Sequence, residues 1–278
     1  MQPIALSPRG VDIPMAELAK VAAALTRQLM GDLQRCWGVA GVVSPFADAA
    51  EAPGGAWQIL VVPDAAGRGG MHSVPQHIDE PVIAIVQYQP NTMWSLAASH
   101  EAIEMLLDPL GASFRDGPDP RGSGKRVRFL MEVCDPCQSF GCAYALDGVW
   151  VSDFVLPSFY QVSGGTAPYT LKNNVLSPLS VTADGVLSWQ EPDSGDWHQL
   201  DAAGFKGPVH QSDVLGALAG INWRGAFDRR SGDYPGHLVT DAELRKHKAR
   251  IAAVAKRERA AEAKRQAALE KFCKANGL

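Results

Sequence analysis

The stretch MWSLAASHEAIEMLLDPLG, Met93 to Gly111, decides how the chain is read. At 100° per residue, Leu96, Ile103, Leu106, Leu107 and Leu110 fall on one apolar arc, which predicts a core-packed amphipathic helix that Pro109 and Gly111 help to end. His100 and Glu104 are one turn apart at the edge of that arc, and Glu101 and Asp108 lie further round on the same side. The three carboxylates share a strip about 60° wide. Like charges at these spacings repel by a few tenths of a kcal/mol per pair, and no Lys or Arg occurs between Met93 and Phe114 to offset them. A divalent cation would.

Outward from this helix, the N-terminal side shows a clear order of elements. PMAELAKVAAALTRQLMGDLQRCWG carries Pro14 at a helix start, apolar residues Leu18, Val21, Ala22, Leu25, Leu29 and Leu33 at helical spacing, and Gly38 as a stop. VAGVVSPF, WQILVVPD and PVIAIVQY read as three strands, the last running into the His100 helix. Beyond Asp147, β-branched and aromatic residues mix with Gly, Pro, Asn and Asp at short intervals, a β-rich and loop-rich pattern. There Trp189, Trp197 and Trp223 read as core or lid packing. NWRGAFDRRSGDYPGH reads as a linker, and Thr240 with Glu243 opens a capping-box pattern into a long alanine-rich basic helix.

Composition bounds the function classes. The chain has 278 residues, 46% hydrophobic and 20% charged, ordinary for a globular protein able to bury a sizeable core. Neither a membrane-spanning run nor a signal peptide is evident, so a cytoplasmic or particle-associated location is expected. Five cysteines, of which Cys134, Cys137 and Cys142 cluster, make a poor disulfide framework, and reduced thiols packed as small apolar groups are expected. From Asp241 onward there are eleven basic against five acidic residues, leaving fifteen against twenty-five in the body. The tail is therefore expected to mediate self-association or docking to a larger assembly, and its lack of interleaved aromatics argues against nucleic acid.

The order His-Glu-x-x-Glu at His100, Glu101 and Glu104 has a chemical rationale. A hydrolytic metal takes two protein ligands one helical turn apart and a third from elsewhere, leaving a position for water. His100 and Glu104 fill the first two roles, and Glu101 would take the proton of that water as general base. A carboxylate in place of a second histidine keeps zinc as the expected metal and widens the choice toward manganese or iron. The third ligand is expected from VRFLMEVCDPCQ, where Glu132 and Asp135 both qualify. If the segment is a strand, these two point to opposite faces; if it is a helical turn, both could serve. His72, flanked by glycines in RGGMHSVPQH, is the other candidate, reaching over a substrate cleft, against the plain reading of a solvent-exposed loop histidine.

SHEAIEMLLDP resembles the SHExxEMLxDP signature of a poorly characterised family of bacterial and phage proteins with a zincin-like metallopeptidase character. The likeness extends more loosely through GGMH, MEVCDP, LDGVWVSDFVLPSFY and GVLSWQEPDSGDWHQ. The resemblance covers roughly residues 15–200 and implies an α+β fold, a zincin-like domain over residues 1–145 with a β-rich continuation or small second domain over 146–235; the basic helix expected over 236–278 lies outside it and rests on the tail's own composition. The resemblance also implies a zinc peptidase with a peptide or protein substrate. The competing class is a non-enzymatic phage- or particle-associated structural protein with a degenerate or structural metal site.

Overall fold

The computed structural model describes residues 1–65, 69–73, 82–89 and 93–210. Its first layer is a five-stranded sheet in the order β2-β1-β3-β5-β4. The strands are β1 (Gln2–Pro8), β2 (Gly41–Pro45), β3 (Trp57–Val62), β4 (Gly70–Ser73) and β5 (Ile83–Gln87). All neighbours run parallel except β4, which closes one edge antiparallel to β5. A parallel sheet buries both faces, which accounts for the unbroken apolar run of β3.

Helix α1 (Met15–Arg27) runs without a break through a π-helical turn, Gln28–Leu33, into α2 (Gln34–Trp37) and stops at Gly38, whose φ of 75° is the left-handed conformation glycine adopts without a Cβ penalty. The π turn has a local cause. Gln28 is fully buried there, its amide nitrogen donating to Tyr144 Oη at 3.0 Å and the Ser152 carbonyl at 2.8 Å, while its amide oxygen accepts from Ser99 Oγ at 2.7 Å. Three segments are thereby tied together one residue before His100. Helix α3 (Trp94–Leu107) lies beside α1 and packs on β5, β4 and the later strand Val149–Val151.

The second layer begins at residue 114. Strands β6 (Phe114–Pro118), β7 (Arg126–Leu130), β10 (Leu187–Gln190), β11 (Trp197–Asp201) and β12 (Gly204–Val209) form an antiparallel sheet in the order β12-β11-β10-β7-β6. A separate hairpin, β8 (Tyr144–Leu146) and β9 (Val149–Val151), interrupts this layer in sequence, between β7 and β10. Gly117 is required in edge strand β6, since a Cβ there would meet the ring of Phe129 on β7 at 2.6 Å. Trp189 and Trp197 are buried within this layer.

This architecture corrects the expected fold class. Among the described residues the chain is mostly strand: twelve strands, one long helical run from Met15 to Trp37, α3, and otherwise short turns. A zincin-like α+β domain with a β-rich region appended after it is not what these residues build. The second sheet starts well before residue 145, and that position falls inside β8. One cluster of buried apolar residues runs from Ile4 to Trp189 across it. The linker, Trp223 and the basic helix expected over 236–278 lie outside the described residues. Among the described residues no helix is long and apolar enough to cross a membrane.

Candidate metal centre

Helix α3 departs from the expected amphipathic pattern. Trp94, Ala98, Ala102, Ile103 and Met105, which are not confined to one arc, are buried, and so are Glu101 and Glu104, while Leu110, expected in the core, is exposed. The acidic strip therefore faces protein, because β4 and the segment after β7 cover it. Asp108 leaves the strip at the helix end. Its Oδ1 accepts the backbone amides of Ala112 and Ser113 at 2.7 Å each, which fixes the turn into β6. Burial raises the Asp108 carboxyl pKa, against the pull of those amides.

His100 Nε2 lies 3.1 Å from Glu104 Oε2 and 3.3 Å from Asp135 Oδ1. Glu104 is wholly buried, and its other oxygen accepts the Cys134 backbone amide at 3.1 Å. Burial works against a charged His100, yet the Glu104 charge, hydrogen bonds to Asp135 and Glu104, and the charge of Glu101 outweigh it and hold the imidazole well above its ordinary pKa. The Cys134 thiol is pushed up by burial and then by the charges of Glu104 and Cys137, so without a compensating cation it keeps its proton. Its sulfur donates to the His100 carbonyl at 3.8 Å.

The segment supplying Asp135 is neither the strand nor the plain helical turn considered from sequence. β7 ends at Leu130, the chain runs irregularly through Glu132, and a 3₁₀ turn follows at Asp135–Cys137. Both acids are buried, and they serve different histidines: Asp135 sits against His100, whereas Glu132 groups with His72. His72 is not an exposed loop residue. It lies in β4, only 4% exposed, with Nδ1 3.2 Å from Glu101 Oε2. Burial lowers its pKa, but the hydrogen bond to Glu101 and the charges of Glu101, Glu104 and Asp108 raise it more. Gly70 makes the approach possible, because a Cβ at that position would stand 2.8 Å from Glu101 Oε1.

Two donor groups result, His100 with Glu104 and Cys134, and His72 with Glu104 and Glu132, each with its ligand atoms within 4.8 Å of one another. No protein-family profile, curated protein or solved structure matches the chain. The site must be judged on its own chemistry. Imidazole, carboxylate and thiol are the donors zinc takes, and the carboxylate share also suits manganese or iron. His72 Nε2 is buried without a hydrogen-bond partner among the described residues, an orphaned nitrogen of the kind a cation would engage. The residues present therefore fit a divalent cation.

Sequence reasoning placed His100, Glu101, Glu104, Glu132, Asp135 and His72 as candidates, and the structure brings all six into one buried region. Cys134 was missed, read as a small apolar group. Its place between the two candidate acids in MEVCDP was the signal available. Cys137 and Cys142 are buried and form no disulfide among the described residues.

Proposed function

We propose that the protein is a metal-dependent hydrolase acting on peptide or protein substrates, with zinc held by His100, Glu104 and Asp135 and with Cys134 adjoining. The observation that carries this reading is the convergence on His100 Nε2 of two carboxylate oxygens at 3.1 and 3.3 Å. Donors about 2.0–2.1 Å from a tetrahedral zinc stand about 3.3 Å from each other, so these atoms need little movement to share one cation. A bound cation supplies Lewis acidity, polarising a carbonyl and making water easier to deprotonate. Glu101, one residue on and turned about 100° round the helix from His100, is the base in this reading. Its Oε2 is held by His72, which leaves Oε1, beside Gly70, to accept a proton.

Burial favours a second reading. Even His100 is only 13% exposed at its side chain, a closed setting that suits a structural cation in a particle-associated protein with no turnover. Metal analysis of the purified chain together with a peptide-library assay separates the two. At least one tightly held cation with cleavage that Glu101→Gln abolishes supports the hydrolase. A held cation with no cleavage of any peptide favours the structural role, and a chain that takes up no cation under any condition overturns both.

A further inference from the structure

The geometry points to a second cation position, formed by His72, Glu104 and Glu132, so that Glu104 bridges a two-cation centre. The inference rests on the reading of His100 and Glu104 as ligands and extends it. Three observations carry it. Glu104 belongs to both donor groups, and in each the ligand atoms lie within 4.8 Å of one another. A carboxylate has two oxygens, so one side chain can serve two ions, as in two-metal sites whose ions stand about 3.5 to 4 Å apart.

The second observation is His72 itself. Nδ1 is paired with Glu101 Oε2 at 3.2 Å, and Nε2 is buried with no hydrogen-bond partner among the described residues. When Nδ1 carries the proton given to Glu101, Nε2 presents its lone pair. This is the carboxylate-histidine pairing that orients metal-binding imidazoles elsewhere. The third is the strand. Gly70 and His72 are two apart in β4 and so face the same side, toward α3, where Gly70 leaves the room that Glu101 fills. Glu132, buried just beyond β7, completes the set. Glu101 thereby has a positioning role toward His72 in addition to any proton it takes.

Manganese(II) titrated into the full-length chain tests this, read by calorimetric stoichiometry and by electron paramagnetic resonance, which detects spin coupling between neighbouring ions. Wild type should take up two equivalents with a coupled signal, and His72→Ala should bind one equivalent with the coupling gone. His72→Gln, which retains a polar group beside Glu101, repeats the test should the alanine variant lose its circular-dichroism signature. One equivalent in wild type, two uncoupled equivalents, or two coupled equivalents persisting in the folded His72 variants would each overturn the second position while leaving the His100 site standing. No uptake at all would overturn the His100 site as well.

Discussion

Two acidic clusters in this molecule are closed by different cations. Near the second sheet, Asp119 accepts from the Arg121 side chain at 2.8–3.1 Å, and Arg121 also reaches Glu191 at 2.6 Å. His198 stacks on Trp189 beside this group. Its pKa is lowered, first by burial and then by the Arg121 charge. Around α3, by contrast, the partners of Glu101, Glu104 and Asp135 include two imidazoles, and both are raised in pKa. A guanidinium holds its proton at every accessible pH and has no lone pair to give. An imidazole can release its proton and become a ligand. The difference teaches that gathered carboxylates can be neutralised chiefly by a group with no lone pair, as at Asp119, or by groups able to become ligands, as around α3.

The largest effect expected concerns turnover. Glu101→Gln should lower hydrolysis by about 100- to 10,000-fold, the usual worth of general-base assistance, while the cation at His100 stays bound. Peptide cleavage measured beside metal analysis checks this, and equal cleavage by the variant would remove Glu101 from the mechanism. Next comes affinity. His100→Ala should weaken zinc binding at least about 100-fold, since a direct ligand matters no less than the outer partners whose loss costs 10- to 100-fold. Arg121→Ala should leave it unchanged. Competition with a chromophoric chelator reads both, and a comparable loss in the two variants would break the contrast drawn between the clusters.

Stability should follow the opposite pattern. Asp119 has its carboxyl held down to about 2 by hydrogen bonds from Arg121 and Ser123 that outweigh the upward push of burial. A depressed carboxyl contributes stability that is fully present above its unfolded pKa, near 3.8, and is lost as pH falls toward about 2. Asp119→Asn should therefore cost about 2 kcal/mol at neutral pH and progressively less across that acid window, as seen by urea denaturation at several pH values. A constant cost at all pH values would show that packing, not charge, is at stake. The smallest effect is expected at the exposed pair Arg27–Asp147, whose side chains are mostly in solvent: Asp147→Asn should change stability by less than about 1 kcal/mol.

The buried Gln28 amide ties its own helical run to Ser99 on α3, Tyr144 in β8 and the segment after β9. Gln28→Leu would leave Ser99 and Tyr144 short of a partner, at about 1–3 kcal/mol for each buried group so exposed. It should also weaken cation binding through α3. Retained zinc affinity in a destabilised variant would show that the helix keeps its place without that tie.

Local pattern was enough for some of this molecule. The spacing of Leu18, Val21, Leu25 and Leu29 requires a helix, Gly38 ends it, and the apolar runs at β2, β3 and β5 form strands where expected. These signals are local, set by which side chains share a face. The same spacing put His100, Glu101 and Glu104 on one side of a helix. Other features were invisible. β1, QPIALSP, is punctuated by prolines at both ends of its apolar run and β4 has only four residues, and the place of each is set by the strands beside it, so neither the sheet order nor the burial of His72 could be read.

The sequence by itself determined which residue types could hold a cation and that three of them share a helix face, because helical geometry follows from the backbone alone. Only the tertiary structure decided that this face is buried, that Glu132 and Asp135 serve different histidines, and that Cys134 joins them. Those facts depend on contacts between segments far apart in the chain, such as β4 against α3 and the residues after β7 against His100. Periodicity tells which face of an element is apolar, but what covers the other face is settled only when the elements pack.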